Sequence, residues 1–262
     1  MLASAQFKRT FQNGFQEGNE LRSVGHVKVP ICDWEPVPFL LLMAILHGRT
    51  QLVPQTLHFD WLKAMAILVD YYECYEAVAM VSDLWTKAFE REQSTLAEES
   101  PMEWLFITWA FRKGDAFESI TKSIQLEHKK DISSEELPIP AEIIDTLRVS
   151  RQTGISNVIE CLYSLLKRLR RAPKICSFEC DLIRLGALIK GMHEFRILAE
   201  NPQPGAGYSF MNLKSACIRM HRAYDSHHCK LMPEVLKVSN KVYDSLKCGL
   251  TLDSFTSLRQ KP

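Results

Sequence analysis

One stretch limits what this chain can fold into more than any other. Asp60 to Phe89 is the densest apolar and aromatic segment of the sequence. Leu62, Met65, Val69 and Tyr72 recur at helical spacing, as do Val78, Val81, Trp85 and Phe89. That period predicts a helix, with Asp60 as its N-cap. A surface this apolar must be covered by neighbouring segments, and Trp61, Tyr71, Tyr72, Tyr75 and Trp85 are the side chains expected to supply packing or interaction area.

The flanking segments read as helices with one exception. Phe7, Phe11 and Phe15 fall four apart and mark a short helix over residues 1–15, with Gly14 and Gly18 expected to break it. His26 to Ile31 alternates and predicts one short strand, with Pro30 placing it at an edge or strand end. A lone strand leaves its backbone donors and acceptors unsatisfied, so it needs a partner from elsewhere. Pro36 and Pro38 suit the first turn of a helix that Glu35 or Asp33 can cap and that stops at Gly48, with His47 as an end cap.

Residues 90–99 are charged and read as a connection. Ser100-Pro-Met-Glu103 is a capping-box pattern opening a helix to about Phe111, and a second helix follows from Asp115 to about His128. Pro140 opens a long helix to about Arg171, whose apolar stripe runs through Ile155, Val158, Ile159, Leu162, Leu165, Leu166 and Leu169, with Gly154 marking a bend. Helices over about 180–195, 209–224 and 230–247 complete the chain, and the tail is expected to fray.

Thirty-two Lys and Arg against 31 Asp and Glu give a net charge of +1, which provides no global field toward nucleic acid or anionic lipid. The longest apolar run, Val37 to Leu46, is far short of the roughly 18 residues of a membrane span. With no basic-then-apolar leader at the N-terminus, the eight cysteines read as reduced thiols in the nucleus or cytoplasm, most of them packed as small hydrophobes.

Several short segments in order resemble a known family. Phe-Lys-Arg-Thr-Phe (7–11), Gly-Phe-Gln-Glu-Gly (14–18), Glu-Leu-Arg-Ser (20–23), Val-Lys-Val-Pro (27–30), Asp-Trp-Glu-Pro (33–36), Leu-His-Gly-Arg (46–49), Val-Pro (53–54) and Ile-Leu-Val-Asp-Tyr-Tyr-Glu-Cys-Tyr-Glu-Ala-Val (67–78) resemble the later part of a BTB/POZ domain, in the form found in filamentous-fungal BTB proteins. Trp-Ala-Phe-Arg-Lys (109–113), Leu-Pro-Ile-Pro (137–140), Cys-Ser-Phe-Glu-Cys (176–180), Leu-Gly-Ala-Leu (185–188) and His228-Cys229 are similar to the C-terminal region of those proteins. The resemblance implies a mainly α chain: an incomplete BTB/POZ-like α+β domain over 1–92, then an all-α helical region over 93–262. A complete domain of that family starts with two strands, a helix and a third strand, which would precede Met1. Their absence would explain an orphan strand at 26–31, and a misplaced start codon is one expected cause.

The function implied is protein–protein interaction: a non-enzymatic adaptor or scaffold that binds a protein partner or itself, in the family extending to cullin-type ubiquitin ligases. Two alternatives stand beside it. One is a nucleic-acid-associated nuclear regulator using the basic cluster of residues 167–174, although a helix C-terminus explains those cations more simply and nucleic acid is the disfavoured partner. The other is a non-functional product of an incomplete gene model. No catalytic residue and no cofactor is assigned, since no nucleophile-elbow, zinc-protease, phosphate-loop or dinucleotide pattern occurs. No metal is assigned either. The nearest approach to a ligand set is Cys176, Cys180, His228 and Cys229, where only the first pair has zinc-like spacing. Asp70, Glu73 and Glu76 read as a solvated helix face, and His193 as half-buried.

Overall fold

The computed structural model describes residues 4–12, 14–92, 100–171, 177–198, 207–222 and 233–259. The chain is mainly helical, as the sequence leads one to expect, and no strand occurs among the described residues. It separates into two units: residues 1–117 with 135–139, and residues 118–134 with 140–262.

In the first unit, α1 is Ala5–Gln12, α2 Gln16–Val24, α3 Pro36–Leu46, α4 Phe59–Tyr72, α5 Tyr75–Glu92 and α6 Pro101–Ala110. Gly14, at φ 76°, ends the first helical run as expected, but Gly18 lies inside α2. A Cβ on Gly18 would stand 2.5 Å from the Phe11 carbonyl oxygen, so glycine is there to let α1 and α2 approach. Phe15 consequently leaves the α1 face and becomes the exposed N-cap of α2. Residues 26–31 are not a strand: they lie outside any ladder, because the described residues offer no second strand to pair with.

The apolar stretch is two helices rather than one. Glu73 adopts left-handed backbone (φ 50°) as the C-cap of α4, its N–H bonded to the Val69 carbonyl, and α5 restarts at Tyr75. Asp60 is not the cap; His58 holds that position, and Asp60 sits in the first turn, where a carboxylate suits the positive helix end. In α3, Glu35 is the N-cap but its side chain makes no capping bond, while His47 Nδ1 contacts the Met43 carbonyl at 2.7 Å and closes the helix as expected. The capping box at Ser100 does not form either. Ser100 makes no side-chain cap bond, and Glu103 instead pairs with Lys63 of α4 at 2.7 Å. Core packing runs through Phe59, Phe89 and Trp104, whose rings meet at 5.0 and 4.6 Å.

The helix α7 (Gly114–Glu127) belongs to the second unit from Glu118 onward, where it contributes Ile120, Ile124 and Leu126 to the buried set. The 31-residue α8 (Ala141–Arg171) is that unit's spine, packed by α9 (Phe178–Glu194), α10 (Phe210–Arg222) and α11 (Pro233–Leu246). Ser177 and Ser209 cap α9 and α10 by accepting from the Cys180 and Asn212 N–H groups. Sequence reasoning missed two buried arginines, of which Arg151 ties α8 to neighbouring loops. Arg151 donates to the Tyr208 carbonyl at 2.7 Å and the Lys130 carbonyl at 3.3 Å, and Arg184 lies 3.7 Å from Asp181. Burial lowers the Arg151 pKa, with Asp131 partly offsetting it. Over residues 252–259 the tail does not fray: they form a 3-10 helix with Leu252 and Phe255 buried. Glycine is required at 249 for two reasons: its φ is 68°, and a Cβ there would lie against the Glu118 carbonyl oxygen.

Gly154 marks close packing rather than a bend. An added Cβ would sit 2.8 Å from Val242 Cγ1 and 3.3 Å from Leu246 Cδ1 of α11. Gly154→Ala should therefore destabilise the protein, even though alanine favours a helix interior by about 1 kcal/mol. A net loss of roughly 1–2 kcal/mol is expected from the overpacking, read as a lower denaturant midpoint at unchanged slope.

Candidate interaction surfaces

The five aromatic residues singled out from the sequence have three different environments. Tyr72 (4% exposed) and Trp85 (2%) are core, Tyr75 is half-buried, and Trp61 and Tyr71 face solvent. Tyr72 is the hub. Its ring stacks on Phe7 at 4.6 Å and meets Tyr71 edge-on at 5.0 Å. Its hydroxyl accepts a hydrogen bond from Trp34 Nε1 at 3.1 Å, and its carbonyl accepts one from Ser4 Oγ at 2.5 Å. Burial pushes the Tyr72 phenol pKa up, and the bond from Trp34 opposes that shift. Trp85 donates to the Pro54 carbonyl at 2.9 Å, and the Arg112 guanidinium lies 4.2 Å from the centre of the Tyr75 ring.

Ser4 had no signal in the sequence. It is 1% exposed, and its Oγ also accepts from the Phe7 N–H, so one hydroxyl caps α1 and ties it to the end of α4. Beside it, Arg9 Nη2 pairs with Glu73 at 2.5 Å. The acidic trio is therefore not a uniform solvated face: Glu76 is exposed, whereas Glu73 and Asp70 are half-buried.

The apolar surface left uncovered centres on α3. All eleven residues of this helix, Pro-Val-Pro-Phe-Leu-Leu-Leu-Met-Ala-Ile-Leu, are apolar, so it has no polar side to turn to water. Only Pro38, Leu42 and Ala44 are buried, while Val37 and Leu40 are 44% and 65% exposed. α6 shows the alternative fate of such a sequence, since every residue from Trp104 to Ala110 is buried. On α5, which packs against α3, Met80 and Leu84 are also exposed beside half-buried Ala77, Val81 and Ala88.

The remaining candidates are dispersed. Lys167, Arg168, Arg170 and Arg171 project from the C-terminal turns of α8, where cations suit the helix dipole, and Lys174 lies outside the described residues. Of the possible ligand set, Cys180 is buried in α9, while Cys176, His228 and Cys229 lie outside the described residues. Among the described residues no group of three His, Cys, Asp or Glu is placed to hold a metal ion. His193 is exposed rather than half-buried, because it follows Met192 onto the outer side of α9. No helix among the described residues is long and apolar enough to cross a membrane. Comparison with protein-family models, with curated proteins and with solved structures finds no match to this chain.

Tyr72→Phe removes the acceptor for Trp34 Nε1 and should cost about 1–2 kcal/mol in chemical denaturation. The described cysteines are all free, with Cys32 and Cys248 exposed and Cys74, Cys180 and Cys217 buried. Burial pushes the Cys74 and Cys217 thiols up to about 12. Iodoacetamide at neutral pH should alkylate Cys32 and Cys248 and spare the three buried thiols until denaturant is added, as read by peptide mass spectrometry. Because the fold holds Cys74 and Cys217 protonated, their contribution to stability is complete below the ordinary thiol range and is lost as pH rises toward about 12.

Proposed function

We propose that the chain is a non-enzymatic protein–protein interaction module, a BTB-type adaptor or scaffold in which apolar helix faces are buried against a protein partner. The observation that carries this reading is α3, an entirely apolar helix with Val37 and Leu40 open to water. Monomeric proteins seldom leave such a surface uncovered, and burying apolar area contributes roughly 25 cal/mol per Å² before association costs are subtracted. Exposed Met80 on neighbouring α5 adds a flexible, polarisable side chain of the kind adaptable interfaces favour. The ordered segments that resemble fungal BTB/POZ proteins support the same class of function. Within that class the partner is a cullin-type ubiquitin ligase or another scaffold component.

Leu40→Asp tests this reading. Leu40 is exposed, so the folded chain should keep its denaturation midpoint to within about 0.5 kcal/mol. Proximity labelling in cells, or chemical cross-linking of the purified chain for self-association, should show a defined set of partners that the variant loses. An identical partner set for Leu40→Asp and the parent chain would sink the assignment of α3 as the interface.

A further inference from the structure

Residues 26–32 join the Gly25 C-cap of α2 to the segment that leads into α3. The backbone N–H and C=O groups of residues 26–34 make no hydrogen bond with the described residues. Burial alternates over residues 26–30, where Val27 and Val29 are half-buried and His26, Lys28 and Pro30 are exposed; Ile31 and Cys32 are exposed as well. Period two is the signature of extended backbone, and Pro30 further restricts Val29 to the extended region. The two lateral edges of such a segment are not equivalent. Val27, Val29 and Ile31 point three N–H donors to one side, whereas the other side has only His26 and Lys28, because Pro30 has no N–H.

We propose that this segment is a docking edge for an extended strand of a partner protein, paired along the Val27–Val29–Ile31 side. The proposal rests on the interaction-module reading and names the partner's chemistry. Chain pairing of this kind supplies main-chain hydrogen bonds for affinity and side-chain alternation for register. The partner strand carries apolar residues beside Val27 and Val29, and an acidic residue opposite Lys28, which is exposed and forms no ion pair with the described residues. A second copy of the chain is a poorer occupant. Pairing the segment with itself brings Lys28 close to Lys28 of the other copy, and like charges across a ladder are unfavourable.

The test is selection of random dodecapeptides from a displayed library on the immobilised full chain, followed by synthesis of the enriched peptides. The enriched sequences should alternate apolar and acidic residues, and their binding should slow amide exchange at Val27, Val29 and Ile31. Val29→Pro, which deletes the central donor, should weaken binding by about tenfold. Val29→Thr keeps the donor and the β-branch and should stay within about threefold. Unchanged exchange across α4 in both variants serves as the folding control. The idea is overturned if no peptide is enriched, if Val29→Pro binds as well as Val29→Thr, or if a dimer protects the same amides without peptide. Peptides that protect α3 and are lost in Leu40→Asp would overturn the strand pairing while leaving the broader reading intact.

Discussion

The left-handed residue at Glu73 is the constraint on which the first unit depends. Without it, residues 59–92 would continue as one rod, and a rod cannot fold its own apolar stripe back on itself. The break turns the segment into two packed helices, so Tyr72 at the end of α4 and Trp85 on α5 both reach the core. A non-glycine residue in this conformation carries an energetic cost and persists when its surroundings hold it. Here the hold is local and polar: Ser4 bonds the Tyr72 carbonyl, Arg9 pairs with the Glu73 carboxylate, and the Glu73 N–H returns to Val69. Residues almost seventy positions apart therefore fix one turn, and α1 is recruited to α4 by the same bonds.

That arrangement also decides which apolar surface stays open. α4 packs against α1, α3, α5 and α6. α6 is covered all round, while α3, which lacks even the Glu103 and Thr108 of α6, is covered on one side only. The difference lies in position rather than composition. α6 meets α4 through the Lys63–Glu103 pair and meets α5 through the Phe89–Trp104 contact, so neighbours surround it. Beyond the side of α3 that packs on α4 and α5, Val37 and Leu40 stay exposed to water. An uncovered face of this kind is the physical content of calling the chain an interaction module.

Much of the helical architecture was legible because period and punctuation are local properties. The stripe from Ile155 to Leu169 located α8, and Gly48 and His47 located the end of α3. The misses share a cause: each depended on a distant partner. Glu73 carries no local break signal, since glutamate is a good helix former and its turn is held by Ser4 and Arg9. Ser100 and Glu103 match a capping box, but Lys63 offers Glu103 a charged partner and the box opens. Gly18 and Gly154 look like helix breakers and are contact points whose reason lies on another helix. The candidate surface was half legible. An eleven-residue apolar run is plain in sequence, but whether it is buried like α6 or open like α3 is decided only by tertiary packing.

The character of the open surface sets how binding there would behave. Val37, Leu40, Met80 and Leu84 bring no charge to the exposed face, and the chain's net charge of +1 supplies no long-range field. The +1 net charge gives no long-range steering, and the exposed Glu76, Asp83 and Lys87 beside Met80 and Leu84 are of mixed sign, so association belongs near the unsteered range of roughly 10⁵–10⁶ per molar per second. Affinity must then come from slow dissociation, through the area buried and the rigidity of what buries it. An apolar helix face alone is a poor source of specificity, because many greasy surfaces fit it. The proposed strand pairing would correct that weakness: the backbone donors of residues 26–31, at fixed spacing, would admit one register, since a one-residue slip turns every partner side chain to the wrong side. Under the proposed pairing, the helix face would supply the apolar area and the preceding segment the selection.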